Sequence, residues 1–423
     1  MNLVKLSWKY LTFRPLSTGL NVLLLALGLA IITVLLLIQD QFEKKMNRDA
    51  AGIDLVVGAK GSPLQLILSG VYHIDFPTGN IPMDEAEKLS KNRLVKNIIP
   101  MALGDNYQGY RIVGTNHDYP ALYDAQLQSG ELWKKPFEVV LGWEVAAKTG
   151  YNLGDEFVGS HGISEGSHEH DENKFRVVGV LEPAANVLDR LILTSVESIW
   201  FTHDEHDEEE SEHADSTAEH EGHPGSDFQE SVAMKGFPHS DQSRELTTLL
   251  IQYRNPMAAI QLPRLINSGT SMQAASPTFE MVRLFELLGV GITLLKGLAV
   301  VIIGISGLGI FIALYTSLRE RKYDLAILRA IGASRAQLML LIFLEGIMLT
   351  FMGAVLGILL GHSFLSVIIS QNEQGVVSSL QPWIFLKAEL WIVVYALVVG
   401  VLASMIPAFA AYQTSIAKQL TKA

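Results

Sequence analysis

Cysteine is absent from all 423 residues, which excludes disulfides, thiolate zinc sites and cysteine nucleophiles. Charge is scarce as well. Asp, Glu, Lys and Arg make up 18% of the chain, against about a quarter in ordinary soluble domains. A wholly soluble enzyme fits that figure poorly, and an apolar content of 49% excludes a disordered chain. The formal net charge is −12, and the surplus is local. Twelve acids and no Lys or Arg fall between His203 and Glu230, so the rest of the chain sums to zero. One acidic segment without a basic counterpart argues against nucleic-acid binding. Nucleotide loops are missing too. Gly58-Ala59-Lys60-Gly61-Ser62 lacks the spacing and the Gly-Lys-Ser order of a phosphate loop and reads as a turn. In Gly304-Ile305-Ser306-Gly307 the glycine follows Ser306 directly, unlike a nucleophile elbow. No Ser/His/Asp set can be assembled, so no catalytic residue is assigned.

What the chain does have is long apolar runs. They cover Leu20–Ile38, Gly297–Tyr315 (reaching back to Phe285), Leu338–Leu360 and Leu390–Ala411. About 19 residues of helix rise ~28 Å, close to the ~30 Å hydrocarbon core of a bilayer. The residues from Gln39 to Lys45 offer no small-residue cleavage site, so the first run is a retained helix rather than a signal peptide. Lys5, Lys9 and Arg14 precede it, and Arg319, Arg321, Lys322, Arg329 and Arg335 crowd the loop after the second run. Both segments are therefore cytoplasmic.

The fold class is an integral membrane α-helical protein with four transmembrane helices and a large α+β extracytoplasmic domain between helices 1 and 2. The expected order begins with a cytoplasmic N-terminus (1–16), a first helix (17–39) and the α+β domain (40–284). A second helix with an extracytoplasmic extension (285–316), a cytoplasmic loop (317–336) and a third helix (337–361) follow. An extracytoplasmic loop (362–388), a fourth helix (389–412) and a cytoplasmic tail (413–423) complete the chain, placed in a bacterial inner membrane. Within the domain, Ile53–Val57, Tyr110–Val113, Phe137–Leu141, Phe175–Leu181, Leu191–Thr194 and Leu249–Gln252 read as strands. Met83–Leu94, Trp143–Lys148, Ser195–Phe201 and Pro256–Ile266 read as helices. Ser160–Lys174 and His203–Gly225 have too few apolar residues to build a core and are expected to be loops.

Arg319 to Ser334 reads as a short amphipathic helix ended by Gly332, with Leu325, Leu328 and Gly332 on one face. Composition alone equally suits a basic helix lying on anionic lipid. In the third run, Gly353, Gly357 and Gly361 share a face, for packing within the chain or across a dimer seam. Glu345 lies two turns into the same helix, where an ionised carboxylate is costly, and points into the bundle. His362 is its only candidate relay partner, and at ~25 Å along the helix a structural contact suits Glu345 better.

The run from Arg321 to Ser334 resembles the signature of the MacB/FtsX-type (LolC/LolE-like) ABC transporter permeases, with Asp324 where that family more often has Glu. Glu345, the Gly353/Gly357/Gly361 ladder and Ile406-Pro407-Ala408 extend the resemblance. So do Val140 to Ala146 with Gly154-Asp155, and Phe175 to Leu181. The resemblance implies a mechanotransmitting permease subunit, with ATP hydrolysed by a separate cytoplasmic ATPase. Arg321, Asp324, Leu325, Leu328, Arg329 and Gly332 would couple to that ATPase. It implies a homodimer or paired permease, and an extracytoplasmic or membrane-bound client. The alternative is a signalling subunit that activates a periplasmic hydrolase.

Eight of the twelve histidines fall between His161 and His223, among them His168, His170, His203, His206, His213, His220 and His223, interleaved with acids. Imidazole with carboxylate suits Zn²⁺, so a zinc link and a periplasmic lipoprotein or metal-binding partner are expectations. A solvated acidic loop and a pH sensor fit the same composition. No intrinsic cofactor is expected.

Overall fold

The computed structural model describes residues 3–161, 169–202, 232–238, 244–371 and 380–413. They form two compact units, one of residues 1–43 and 287–423 and one of residues 44–286. Helix α1 (Leu3–Phe13) stops at Arg14, ahead of Pro15, and α2 (Pro15–Asp49) begins on that proline. Proline has no N–H to lose at a helix start and disfavours helical backbone in the residue before it.

The extracytoplasmic unit follows in chain order with β1 (Leu55–Ala59), α3 (Pro63–Gly70), β2 (Ile81–Pro82), α4 (Met83–Ser90), the long β3 (Val95–Tyr107) and β4 (Tyr110–Thr115). Then come α5 (Asp118–Leu122), β5 (Leu127–Gly130), β6 (Glu138–Leu141), α6 (Trp143–Thr149), β7 (Glu156–His161) and β8 (Glu169–Leu181). A 3-10 turn at Val187–Arg190 leads into β9 (Leu191–Ser195) and α7 (196–202). Last are β10 (Glu245–Leu246), β11 (Thr248–Tyr253), α8 (Ala258–Gly269) and β12 (Met272–Ala275).

Ten strands make one mixed sheet in the order β12-β1-β11-β3-β4-β9-β6-β8-β5, with β7 paired to β3 and β8. β9 is buried along its whole length, parallel to β4 and antiparallel to β6. Its unbroken Leu-Ile-Leu run suits a strand covered on both faces. Leu55, Ile112, Val139, Leu141, Phe175 and Ile192 meet in the core, joined by Leu262 and Ile266 from α8. The first insert is not all loop, against expectation. Residues 160–161 and 169–174 belong to β7 and β8, which pair antiparallel through Ser160 and Glu169. Backbone pairing between adjacent strands needs no apolar side chains, which is why composition missed it.

Helices α9 (Pro277–Glu320), α10 (Lys322–Ala330), α11 (Arg335–Gln371) and α12 (Glu389–Tyr412) follow. Among the described residues four helices, α2, α9, α11 and α12, are long and apolar enough to span a bilayer. The chain is a multi-pass membrane protein with its large mixed domain outside the cytoplasm. Close helix contacts run through the membrane unit, among them those of α11 with α2 and with α12. A Cβ at Gly353 would lie 2.6 Å from the Leu25 side chain, and one at Gly357 would lie 2.9 Å from the Ala26 carbonyl oxygen. The same construction at Gly361 meets Thr33, so the glycine ladder of α11 packs against α2 within the chain. On α12, Gly400 sits against Thr350 and Gly346 of α11 in the same manner.

Candidate functional site

The cytoplasmic loop is built by two helix boundaries. Gly332 takes a positive φ of 110°, and the N–H of Ala333 reaches back to the carbonyl of Leu328 to close α10. Ser334 and Gln337 then cap α11 reciprocally, each side chain accepting from the other's backbone N–H. Arg321 stands at the N-cap of α10. Its guanidinium lies 3.4 Å from Oε1 of Glu345, donates to the Tyr10 carbonyl and sits 4.0 Å over the Tyr10 ring. Glu345 is only 2% exposed, so α10 is tied through its N-cap to the interior of α11.

The coupling residues named above divide into two groups. Leu325 is buried with Leu318, Leu338, Leu341 and Ile342, and Leu328 packs against that cluster. Asp324 and Gly332 are exposed, and Arg329 is half-buried. The outward apolar face of the loop is instead Tyr323, Ile327 and Ile331, which are 49%, 36% and 80% exposed. Their four-residue spacing was readable in the sequence. Which of the two apolar faces turns outward depends on packing against α11 and α12, which spacing does not give.

His362 is not Glu345's partner. It is fully buried near the other end of α11, with Nε2 3.2 Å from Oε2 of Glu389 and Nδ1 donating to the Pro382 carbonyl. Trp383 stacks on the ring, with centroids 5.7 Å apart.

In the extracytoplasmic unit the last residues of α2 are held by side chains from the domain. Tyr72 Oη donates to the Met46 carbonyl at 3.3 Å, Tyr123 Oη donates to that of Asp49, and Arg48 donates to Ala185 at 3.0 Å. Beside them His73, with a positive φ of 54°, has Nε2 3.0 Å from the Tyr119 hydroxyl. Burial, with Arg111 and Arg190 adding to it, pushes this imidazole down to about 3, so it is neutral. Burial raises the Tyr72, Tyr119 and Tyr123 hydroxyls, keeping them protonated donors.

His168, His203, His206, His213, His220 and His223 lie outside the described residues, as does the side chain of His170. Among the described residues no three His, Asp or Glu come together in a metal-holding group. Gly58 and Ala59 end β1, and Ser62 caps α3 by accepting from the Gln65 N–H, so the phosphate-loop lookalike is a strand-to-helix turn.

Two family models match the chain. The MacB-like periplasmic core domain covers residues 18–220, and the FtsX-like permease C-terminal domain covers residues 296–416. The chain belongs to the MacB/FtsX-like superfamily of ABC-transporter permeases. An uncharacterized ABC transporter permease of Methanocaldococcus jannaschii is 25% identical over 123 residues, 29% of this chain and 31% of that protein. The match thus spans about a third of that relative's length. The periplasmic region of MacB from Actinobacillus actinomycetemcomitans superposes with a TM-score of 0.33 at 11% identity, covering 56% of this chain and 95% of that one. The extracellular domain of the noncanonic ABC-type transporter YknZ from Gram-positive bacteria gives a TM-score of 0.30 at 13% identity, over 53% and 99% of the two chains.

Proposed function

We propose that this permease is the membrane subunit of a transporter whose separate cytoplasmic ATPase drives motion of the extracytoplasmic domain. The observation that carries the reading is the two-sided character of α10. Its inner side is fixed to the bundle by Leu325 and by the Arg321–Glu345 pair. Its outer side leaves Tyr323, Ile327 and Ile331 uncovered. An apolar ridge exposed in the cytoplasm calls for a partner, and one anchored to α11 passes a push from that partner into the membrane helices. The superfamily supplies the class of partner, an ABC ATPase. The chain works in pairs, with itself or with a related permease, and its client is an extracytoplasmic or membrane-bound protein. In co-purification with an ABC ATPase from the same genome, Ile327→Asp and Ile331→Asp should each abolish pairing while the permease stays folded. The permease alone should hydrolyse no ATP. Pairing that survives both substitutions, or hydrolysis by the chain alone, defeats the reading.

A link to zinc is the finer part of the proposal. It rests on the five histidines and the interleaved acids from His203 to His223. Imidazoles bind metal only when deprotonated, so affinity should weaken below about pH 6. Calorimetry on the 203–223 peptide tests it, and a titration without heat at neutral pH leaves a plain acidic segment.

A further inference from the structure

A cavity of about 310 Å³ opens in the membrane unit between the start of α2 and the end of α9. Tyr10, Arg14, Ser17 and Thr18 line it from one side, Ala313 and Thr316 from the other, and Arg321 with Glu345 lies at its floor. Its depth is set by the chain. Arg14 immediately precedes the first membrane helix and Arg321 immediately follows the second, so the cavity sits at the cytoplasmic headgroup level. Leu20 and Ile312 also line it and are 58% and 60% exposed, giving an apolar exit along α2 and α9 into the surrounding acyl chains.

The charges are balanced in pairs. Arg321 pairs with Glu345 inside the cavity, and Arg14 pairs with Glu320, which lies outside its lining. A simple anion would bring a charge with no counterpart to a site that already holds a nearly buried carboxylate, and a simple cation would do the same beside two guanidinium groups. A zwitterion with a phosphate and a hydrogen-bonding ammonium meets both sets. We propose that this cavity binds the phosphoethanolamine headgroup of a phospholipid in the cytoplasmic leaflet. The phosphate faces Arg14 and the hydroxyl of Ser17, and the ammonium faces Glu345. Choline lacks the N–H donors that a carboxylate accepts, and a glycerol headgroup brings no cation to add to Arg321 at Glu345.

The test uses the full-length permease, purified in detergent and stripped of lipid, with bound lipid counted by native mass spectrometry. Phosphatidylethanolamine should half-saturate the site at about tenfold lower concentration than phosphatidylcholine or phosphatidylglycerol of the same acyl chains, the worth of one charged hydrogen bond. Ala313→Phe and Ser17→Trp, which fill the cavity from opposite walls, should each remove that preference with an unchanged thermal midpoint. Ser17 is exposed, so its variant keeps the test open if Ala313→Phe does not fold. Equal retention of the three lipids overturns the proposal, as does a preference that persists in a folded filled variant. Inorganic phosphate or free phosphoethanolamine competing as well as the lipid would make this a soluble-phosphate site and overturn it too.

Discussion

Nε2 of His362 lies 3.2 Å from Oε2 of Glu389, joining two buried side chains on neighbouring membrane helices. The Pro382 carbonyl can only accept, so Nδ1 carries a hydrogen and Nε2 is the ring atom that meets Glu389. The other carboxylate oxygen accepts from the Leu386 N–H, which fixes the turn that starts α12. Removing one partner of a buried pair strands the other, at a cost of about 3 kcal/mol. His362→Ala should therefore lower the thermal midpoint in detergent sharply. His362→Phe combined with Glu389→Leu should recover most of the loss, and equal midpoints for the single and double variants would contradict the pairing.

His73 should make the extracytoplasmic unit sensitive to acid. Its imidazole is pushed down to about 3 in the folded chain, against about 6.5 when unfolded. The unfolded state therefore binds the proton first. Stability is whole above about pH 6.5 and falls as pH drops towards 3, by at most about 1.4 kcal/mol per unit from this group. Urea midpoints followed by tryptophan fluorescence between pH 7.5 and 5 should show the decline, and His73→Asn should flatten it.

The contact of α11 with α2 should not tolerate a side chain at Gly357. A Cβ there would lie 2.8 Å from Leu29 Cβ and 2.9 Å from the Ala26 carbonyl oxygen, which is backbone and does not yield. Gly357→Val should cost about 1–3 kcal/mol as overpacking. Gly304 on α9 has nothing within 4 Å of its Cβ position, so Gly304→Ala is the matched control and should leave the thermal midpoint unchanged.

The Arg321–Glu345 pair separates stability from transmission. Arg321→Met alone leaves a buried carboxylate and should destabilise by about 3 kcal/mol. Arg321→Met with Glu345→Leu should regain the midpoint. It should still lower ATPase stimulation in the assembled transporter, because the clamp between α10 and α11 is gone. Full stimulation in the stable double variant would show that the clamp does not transmit.

The membrane helices were legible because each needs only one long apolar run, and a bilayer tolerates few other solutions. β4, β6, β9 and β11 were legible for a similar reason, as buried strands concentrate Val, Ile and Leu. β3 was not read at all, although it is 13 residues long. Pro100, Gly104, Asp105 and Asn106 interrupt its pattern, and it shifts register against β4 between Leu103 and Asn106. At the candidate site, Glu345 was recognisable as an inward-facing carboxylate, since charge inside a membrane is costly. Its partner was not, because Arg321 reaches it only after the chain reverses between α9 and α11. The glycine ladder left two partners open for the same reason, and only the proximity of Leu25, Ala26 and Thr33 decided between them.

The seam between α2 and α11 also bears on how the protein is made. Ala26 and Gly357 are more than three hundred residues apart, so the ribosome delivers the first helix long before its partner exists. During that wait α2 must reside in lipid with Asn21 and Thr33 unshielded. Both side chains are already served by their own helix, Asn21 donating to the Ser17 carbonyl and Thr33 to that of Leu29. The first span can thus be inserted and held as a lone helix while the external domain is translocated, and α11 later docks onto it without either polar group having to be uncapped.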